Sequence, residues 1–190
     1  MESSDGESCL VVSGFGPFGE VTRNPSGLVA RALAGEPGVR AAELPVSFRR
    51  CVPEFDALLA GSRPRALLGL GVHGGDGYRL ERRARAVLTS EAPDNDGLRG
   101  AQIRLDGPPE RRTELDLERL AGVLEAAGSA RVEISEDAGG YVCERLYRHL
   151  LERAEAGRVP GVFLHVPPLS EVPLDAQLGA VRSLAGALLG

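Results

Sequence analysis

Short apolar runs alternate with stretches of helical periodicity along this chain, and that alternation permits little besides a sheet covered by helices. Residues 10–14 read as a first strand. Pro25, whose fixed φ and missing donor suit a first helical turn, opens a helix over residues 25–34. A strand over residues 39–44, a helix over 50–59 and a glycine-containing strand over 66–72 follow. Residues 80–88 read as another strand with its charges on one face. The stretch 89–111 is loop-like, punctuated by Pro93-Asp94-Asn95-Asp96-Gly97 and Gly107-Pro108-Pro109, and a loop of that length suggests function. Then come a helix (116–127), a strand (131–135), a helix (141–156), a strand (162–166) and a final helix (174–189). The pattern predicts an α/β chain forming one domain over residues 1–190, a three-layer α/β/α sandwich with a largely parallel central sheet. Residues 1–8 are expected to form a flexible polar N-terminus.

Composition removes several function classes. No apolar stretch is long enough to span a membrane, and the acidic start has neither a basic nor an apolar signal region, which predicts a cytoplasmic protein. Cys9, Cys51 and Cys143 are widely spaced without a C-x-x-C, so neither a disulfide framework nor a zinc site is suggested. The net charge is −5, and the 22 basic residues, all arginine, are scattered, which disfavours nucleic acid as a partner. Gly14-Phe15-Gly16-Pro17-Phe18-Gly19 satisfies G-x-G-x-x-G, but Pro17 removes a donor that a phosphate cradle would use, and non-helical residues separate the last glycine from the next helix. Phe15 and Phe18 on that loop either grip a flat apolar ring or plug the core.

Cys143 carries the chemical signal. A strand-like run ends in Gly139-Gly140 and a helix begins at once, which places Cys143 in a first turn, where unpaired N–H groups and the positive end of the helix dipole favour a thiolate. The plainer alternative is a small buried hydrophobe. His165 ends the strand-like run Gly161-Val162-Phe163-Leu164 and is the candidate base. If the strand before Cys143 and the His165 strand are neighbours in a right-handed crossover, thiol and imidazole meet at one sheet edge. His149 lies about 240° round the helix from Cys143 and points away. His73, at the end of another strand, stays open as a competitor.

Six segments stand in order along the chain: the Gly14–Gly19 run with Asn24-Pro25-Ser26, Glu43-Leu44-Pro45-Val46, Leu80-Glu81-Arg82, Pro93-Asp94-Asn95, Asp137-Ala138-Gly139 through Tyr141-Val142-Cys143, and His165-Val166-Pro167-Pro168. Together they resemble the pyroglutamyl-peptidase I (pyrrolidone carboxyl peptidase) family of cysteine peptidases. The resemblance implies removal of an N-terminal 5-oxoproline from peptides, no metal or other cofactor, and a cytoplasmic homo-oligomer, dimer or tetramer. It also implies Cys143 as nucleophile, His165 as general base and acid, and Glu81 as the carboxylate orienting the imidazole. Phe15, Phe18, Val46, Tyr141 and Val142 would line the pyroglutamyl pocket. The chain departs from the family pattern at Ala86, where asparagine is usual, at Glu91-Ala92, where Arg-Ile is common, and at Val72, where many members carry glutamine. Its loop from His73 to Arg79 is also one residue shorter. An acid at Glu91 near the thiol would disfavour the thiolate. The alternatives are a weak or inactive relative that binds without turnover, or a nucleotide-binding α/β protein.

Overall fold

Strand β1 (Glu7–Phe15) is apolar on both faces because it lies inside the sheet, with every residue from Cys9 onward buried. In the computed structural model, which describes residues 7–101, 103–129 and 131–190, the chain continues through α1 (Pro25–Leu33), β2 (Val39–Leu44), α2 (Cys51–Leu59) and β3 (Ser62–Val72). It then forms β4 (Tyr78–Glu81), β5 (Arg83–Arg85), β6 (Glu110–Arg112), α3 (Leu117–Ala126), β7 (Val132–Ser135), α4 (Val142–Gly157), β8 (Gly161–Val166) and α5 (Leu174–Leu189). Among the described residues the main sheet is six-stranded in the order β2-β1-β3-β8-β4-β7. Strands β1, β2, β3 and β8 run parallel, while β4 is antiparallel to β8 and parallel to β7. Helices α1, α3 and α5 bury Val29, Leu33, Leu120 and Leu184 on one face, and α2 and α4 bury Phe55, Leu146 and Leu150 on the other. This is the expected single-domain α/β/α sandwich with a largely parallel sheet.

Local chemistry fixes the ends of these elements. Asn24 caps α1 by accepting the Ser26 N–H at 3.1 Å ahead of Pro25, and Asp116 caps α3 by accepting the Arg119 N–H at 2.9 Å. At Gly14 a Cβ would lie 2.0 Å from the Ser26 carbonyl oxygen, so β1 and α1 close on each other only because that side chain is missing.

Four expectations need correction. Strand β1 begins at Glu7, so the flexible N-terminus does not extend over residues 7 and 8; residues 1–6 lie outside the described residues. The strands flanking α4 are not neighbours, because β4 stands between β7 and β8 and reverses the chain direction there. The single strand predicted over residues 80–88 is two: Tyr78 and Leu80 pack in one core, then the chain turns at Arg82 and Ala84 packs in the other. Both pieces alternate polar and apolar residues, so periodicity does not reveal the change of layer. Finally, β6, which begins in the last two residues of the predicted loop, pairs with β5; its sequence, Glu-Arg-Arg, carries no apolar signal.

Gly14→Ala is expected to destabilise the protein by roughly 2–3 kcal/mol, since the clash is with backbone. Gly122→Ala, at an exposed position of α3 with open space around it, is expected to stabilise by about 0.5–1 kcal/mol. Urea midpoints test both, and an unshifted midpoint for Gly14→Ala would contradict the packing described.

Candidate active site

The antiparallel pairing of β4 with β8 sets Arg79 opposite His165 and Glu81 opposite Phe163, which puts Glu81 diagonally across from the imidazole on the same sheet face. His165 Nδ1 and Glu81 Oε1 are 2.8 Å apart, and Glu81 is fully buried. The imidazole packs on Phe163, which in turn packs on Tyr147, and the Tyr147 hydroxyl donates to the Glu81 carbonyl at 2.7 Å. The ring is thereby held from behind and below.

Its other nitrogen faces the thiol. Gly71, paired with His165 across β3 and β8, has no side chain, and a Cβ there would lie 2.9 Å from both Cys143 Sγ and His165 Nε2. Thiol and imidazole meet over that vacancy. Burial alone would push His165 down, but hydrogen bonds to Cys143 and Glu81 and the negative charge of both outweigh it and raise the imidazole to about 9. The ring is therefore cationic at neutral pH. Cys143 is the second residue of α4, and Tyr141 at the N-cap supplies no side-chain acceptor, so first-turn N–H groups stay available beside the sulfur.

The loop before Cys143 is held by a residue that sequence reasoning missed. Gly139 (φ 94°) and Gly140 (φ 64°) take left-handed conformations that favour glycine, and a Cβ on Gly140 would lie 2.1 Å from Thr89 Oγ1. Glu144, directly after Cys143 and wholly buried, accepts from Gly140 N–H at 2.6 Å and from Arg85 through its backbone N–H at 2.7 Å and its guanidinium at 3.0 Å. The only signal was a charged residue in the first turn of a helix whose buried face is mostly apolar, and its partner lies 59 residues away.

The five proposed pocket residues come together. Phe15, Phe18, Val46, Tyr141 and Val142, joined by Asn24 and Val72, line a small apolar pocket together with Cys143. Phe48, also unforeseen, stands edge-on to Tyr141 at 5.4 Å, and the Tyr141 hydroxyl donates to Pro93 O at 2.8 Å. Burial, with the charges of Asp94 and Cys143, pushes that phenol up to about 12. Asn24 is occupied, donating to Gly16 O and accepting from Ser26.

The competing residues either lie elsewhere or are engaged by other partners, and His73, which stands edge-on to His165 with ring centroids 6.2 Å apart, is of the second kind. His149 pairs with Asp56 at 2.8 Å on the α2 side of α4. His73 lines the cleft, but Gly75 N–H donates to its Nδ1 and its Nε2 sits 2.9 Å from Gly77 O, while burial lowers its pKa. Cys51 is buried and its thiol is pushed up to about 12. The Asp94 carboxylate is engaged by the Phe48, Asp96 and Leu98 N–H groups. Glu91 is exposed on the loop, and its carbonyl accepts from Arg99. The larger concavity of about 560 Å3 lies at the Gly161 end of β8 and holds none of these residues.

A thiol beside a cationic imidazole, a buried carboxylate behind it and free N–H groups at a helix start are the parts needed for acyl transfer through sulfur. The pyroglutamyl peptidase family profile matches residues 8–186, and the chain belongs to that family. It is 32% identical over 172 residues to the pyrrolidone-carboxylate peptidase of Cupriavidus taiwanensis, covering 85% of this chain and 79% of the relative. Its identity to mouse pyroglutamyl-peptidase 1 is 29% over 198 residues, covering 95% and 90%. The solved pyrrolidone carboxyl peptidase of Thermococcus litoralis shares the fold, with a TM-score of 0.87 at 23% identity over 96% of this chain and 93% of that one.

Glu144→Leu is expected to lower stability by about 2–4 kcal/mol, because it strands buried N–H donors and the Arg85 charge. An unchanged urea midpoint would make the buried pair dispensable. Glu91→Arg is expected to leave the pH dependence of iodoacetamide inactivation coincident with wild type, because solvent screens an exposed charge. A displaced curve would mean that the carboxylate reaches the thiol.

Proposed function

We propose that this protein is a cysteine exopeptidase that removes an N-terminal pyroglutamyl residue from peptides, with Cys143 as nucleophile, His165 as acid and base, and Glu81 orienting the ring. The observation that carries the reading is the contact of thiol and imidazole over Gly71 at the mouth of a small apolar pocket, in a chain of this family. The pyroglutamyl ring is a small neutral lactam, suited to walls made of Phe15, Phe18, Val46, Tyr141 and Val142. With the ring seated, Cys143 sulfur attacks the acyl carbon, and the developing oxyanion meets N–H groups at the start of α4. His165 Nε2–H then protonates the departing amine, leaving a thioester and a neutral imidazole. Water attacks next, giving a proton to the imidazole, and pyroglutamic acid leaves as the C–S bond breaks. Glu81 on the far nitrogen fixes the tautomer throughout.

The same reading places the protein in the cytoplasm as a homo-oligomer acting on pyroglutamyl peptides. Among the described residues no helix is long and apolar enough to cross a membrane.

The test is release of the chromophore from an L-pyroglutamyl anilide. Cys143→Ala and His165→Ala are expected to abolish it, while Cys9→Ala, Cys51→Ala and His149→Ala retain it; substantial turnover by Cys143→Ala would end the thiol mechanism. Because the folded imidazole is raised to about 9, the cation is present below that pH and lost as pH rises through it. The kcat/KM profile is therefore expected to fall on its alkaline limb near 9, while the stability that the proton supplies is full below 6.5 and is lost as pH rises from there to about 9. A profile flat to well above that value would remove His165 from proton transfer.

A further inference from the structure

Cys143 is a wall shared by two cavities. One is the apolar ring pocket; the other is a more polar cleft of about 220 Å3 that also contains His73, Arg79, Asp137 and His165. His165 lines only the second, and it must reach the departing amine, so the leaving peptide runs over the imidazole into that cleft. This step rests on the hydrolytic reading above.

The charges there are unevenly answered. The Asp137 carboxylate accepts from the Gly139 N–H and pairs with the Arg85 guanidinium. His73 accepts from the Gly75 N–H on one nitrogen and faces the Gly77 carbonyl with the other, which holds it as a neutral tautomer. Arg79 differs. It stands directly opposite His165 across the β4–β8 pair, where facing Cβ atoms are about 5 Å apart. Its Nε lies 3.2 Å from Glu133, a carboxylate that is half-exposed on the solvent side, and that nitrogen is buried without a hydrogen-bond partner. A guanidinium in this position, one side chain from the imidazole, is matched in charge and fork geometry to a carboxylate a few bonds beyond the scissile nitrogen.

We propose that Arg79 makes this cleft a subsite for a carboxylate carried by the first leaving residue. Either the free α-carboxylate of a pyroglutamyl dipeptide or the side chain of an aspartate or glutamate supplies that chemistry. The protein then favours short, acidic pyroglutamyl peptides over longer neutral ones.

Two matched pairs of substrates separate the sources. L-pyroglutamyl-alanine against its C-terminal amide reads the α-carboxylate, and L-pyroglutamyl-glutamate amide against L-pyroglutamyl-glutamine amide reads the side chain. At least one pair is expected to show a kcat/KM ratio of about fivefold or more in favour of the carboxylate, the size of a partly exposed ion pair. The ratio is expected to fall to near one in Arg79→Gln and to be largely kept in Arg79→Lys. Because it is taken within each variant, general loss of activity cancels. Ratios within twofold of one in wild type, or a wild-type ratio that survives Arg79→Gln, would overturn the subsite while leaving hydrolysis intact. Failure of wild type to cleave even the neutral amides would overturn the hydrolytic reading, and the subsite with it.

Discussion

The site depends on one buried contact, the 2.8 Å approach of His165 Nδ1 to Glu81 Oε1. A carboxylate with no solvent exposure is tolerated only when a charge or several donors answer it, and here the answer is an imidazolium held on the next strand. That requirement reaches into the topology. Glu81 faces His165 because β4 enters the sheet against the direction of β8, and β7 then follows β4 at the sheet edge. The reversal that interrupts an otherwise parallel sheet is thus also the feature that lets a strand deliver a carboxylate to the back of the ring.

Missing atoms do as much as present ones. Gly71 leaves the volume in which sulfur and Nε2 approach each other, and Gly14 lets α1 close on the strand that leads to the Phe15 wall. Gly140 adopts a left-handed turn against Thr89 and its carbonyl accepts from the Thr89 and Ser90 N–H groups, so the long segment after β5 is fastened to the start of α4, which carries Cys143. Glu144 closes the same knot from the helix side.

The layers, most element boundaries and the Cys143, His165 and Glu81 positions were legible in the sequence, because helical and strand periods differ and because a glycine pair before a helix marks a first-turn cysteine. Family motifs supplied Glu81, which by itself looks like a solvated charge in an arginine-rich stretch. What stayed hidden depends on pairing across long sequence separations. The placement of β4 between β7 and β8 leaves no trace in either strand's own pattern, and β6 is built of charged residues whose role is backbone pairing. Arg85 and Glu144 each look like surface charges until the fold buries the glutamate and joins them. Glu91 raised the opposite problem: a departure that looked threatening in sequence sits in solvent, because the loop turns its side chain outward.

The floor of the ring pocket is closed, since Phe15, Val46 and Val142 are each at most 2% exposed and belong to the core beneath it. Cys143 also lines this cavity, so the sulfur borders a space whose floor is the core. Any group attached to the far side of a seated ring would have to occupy volume already filled by β1 and α4. Core packing thus sets the depth of the pocket, and its length is fixed by the same side chains that hold the fold together.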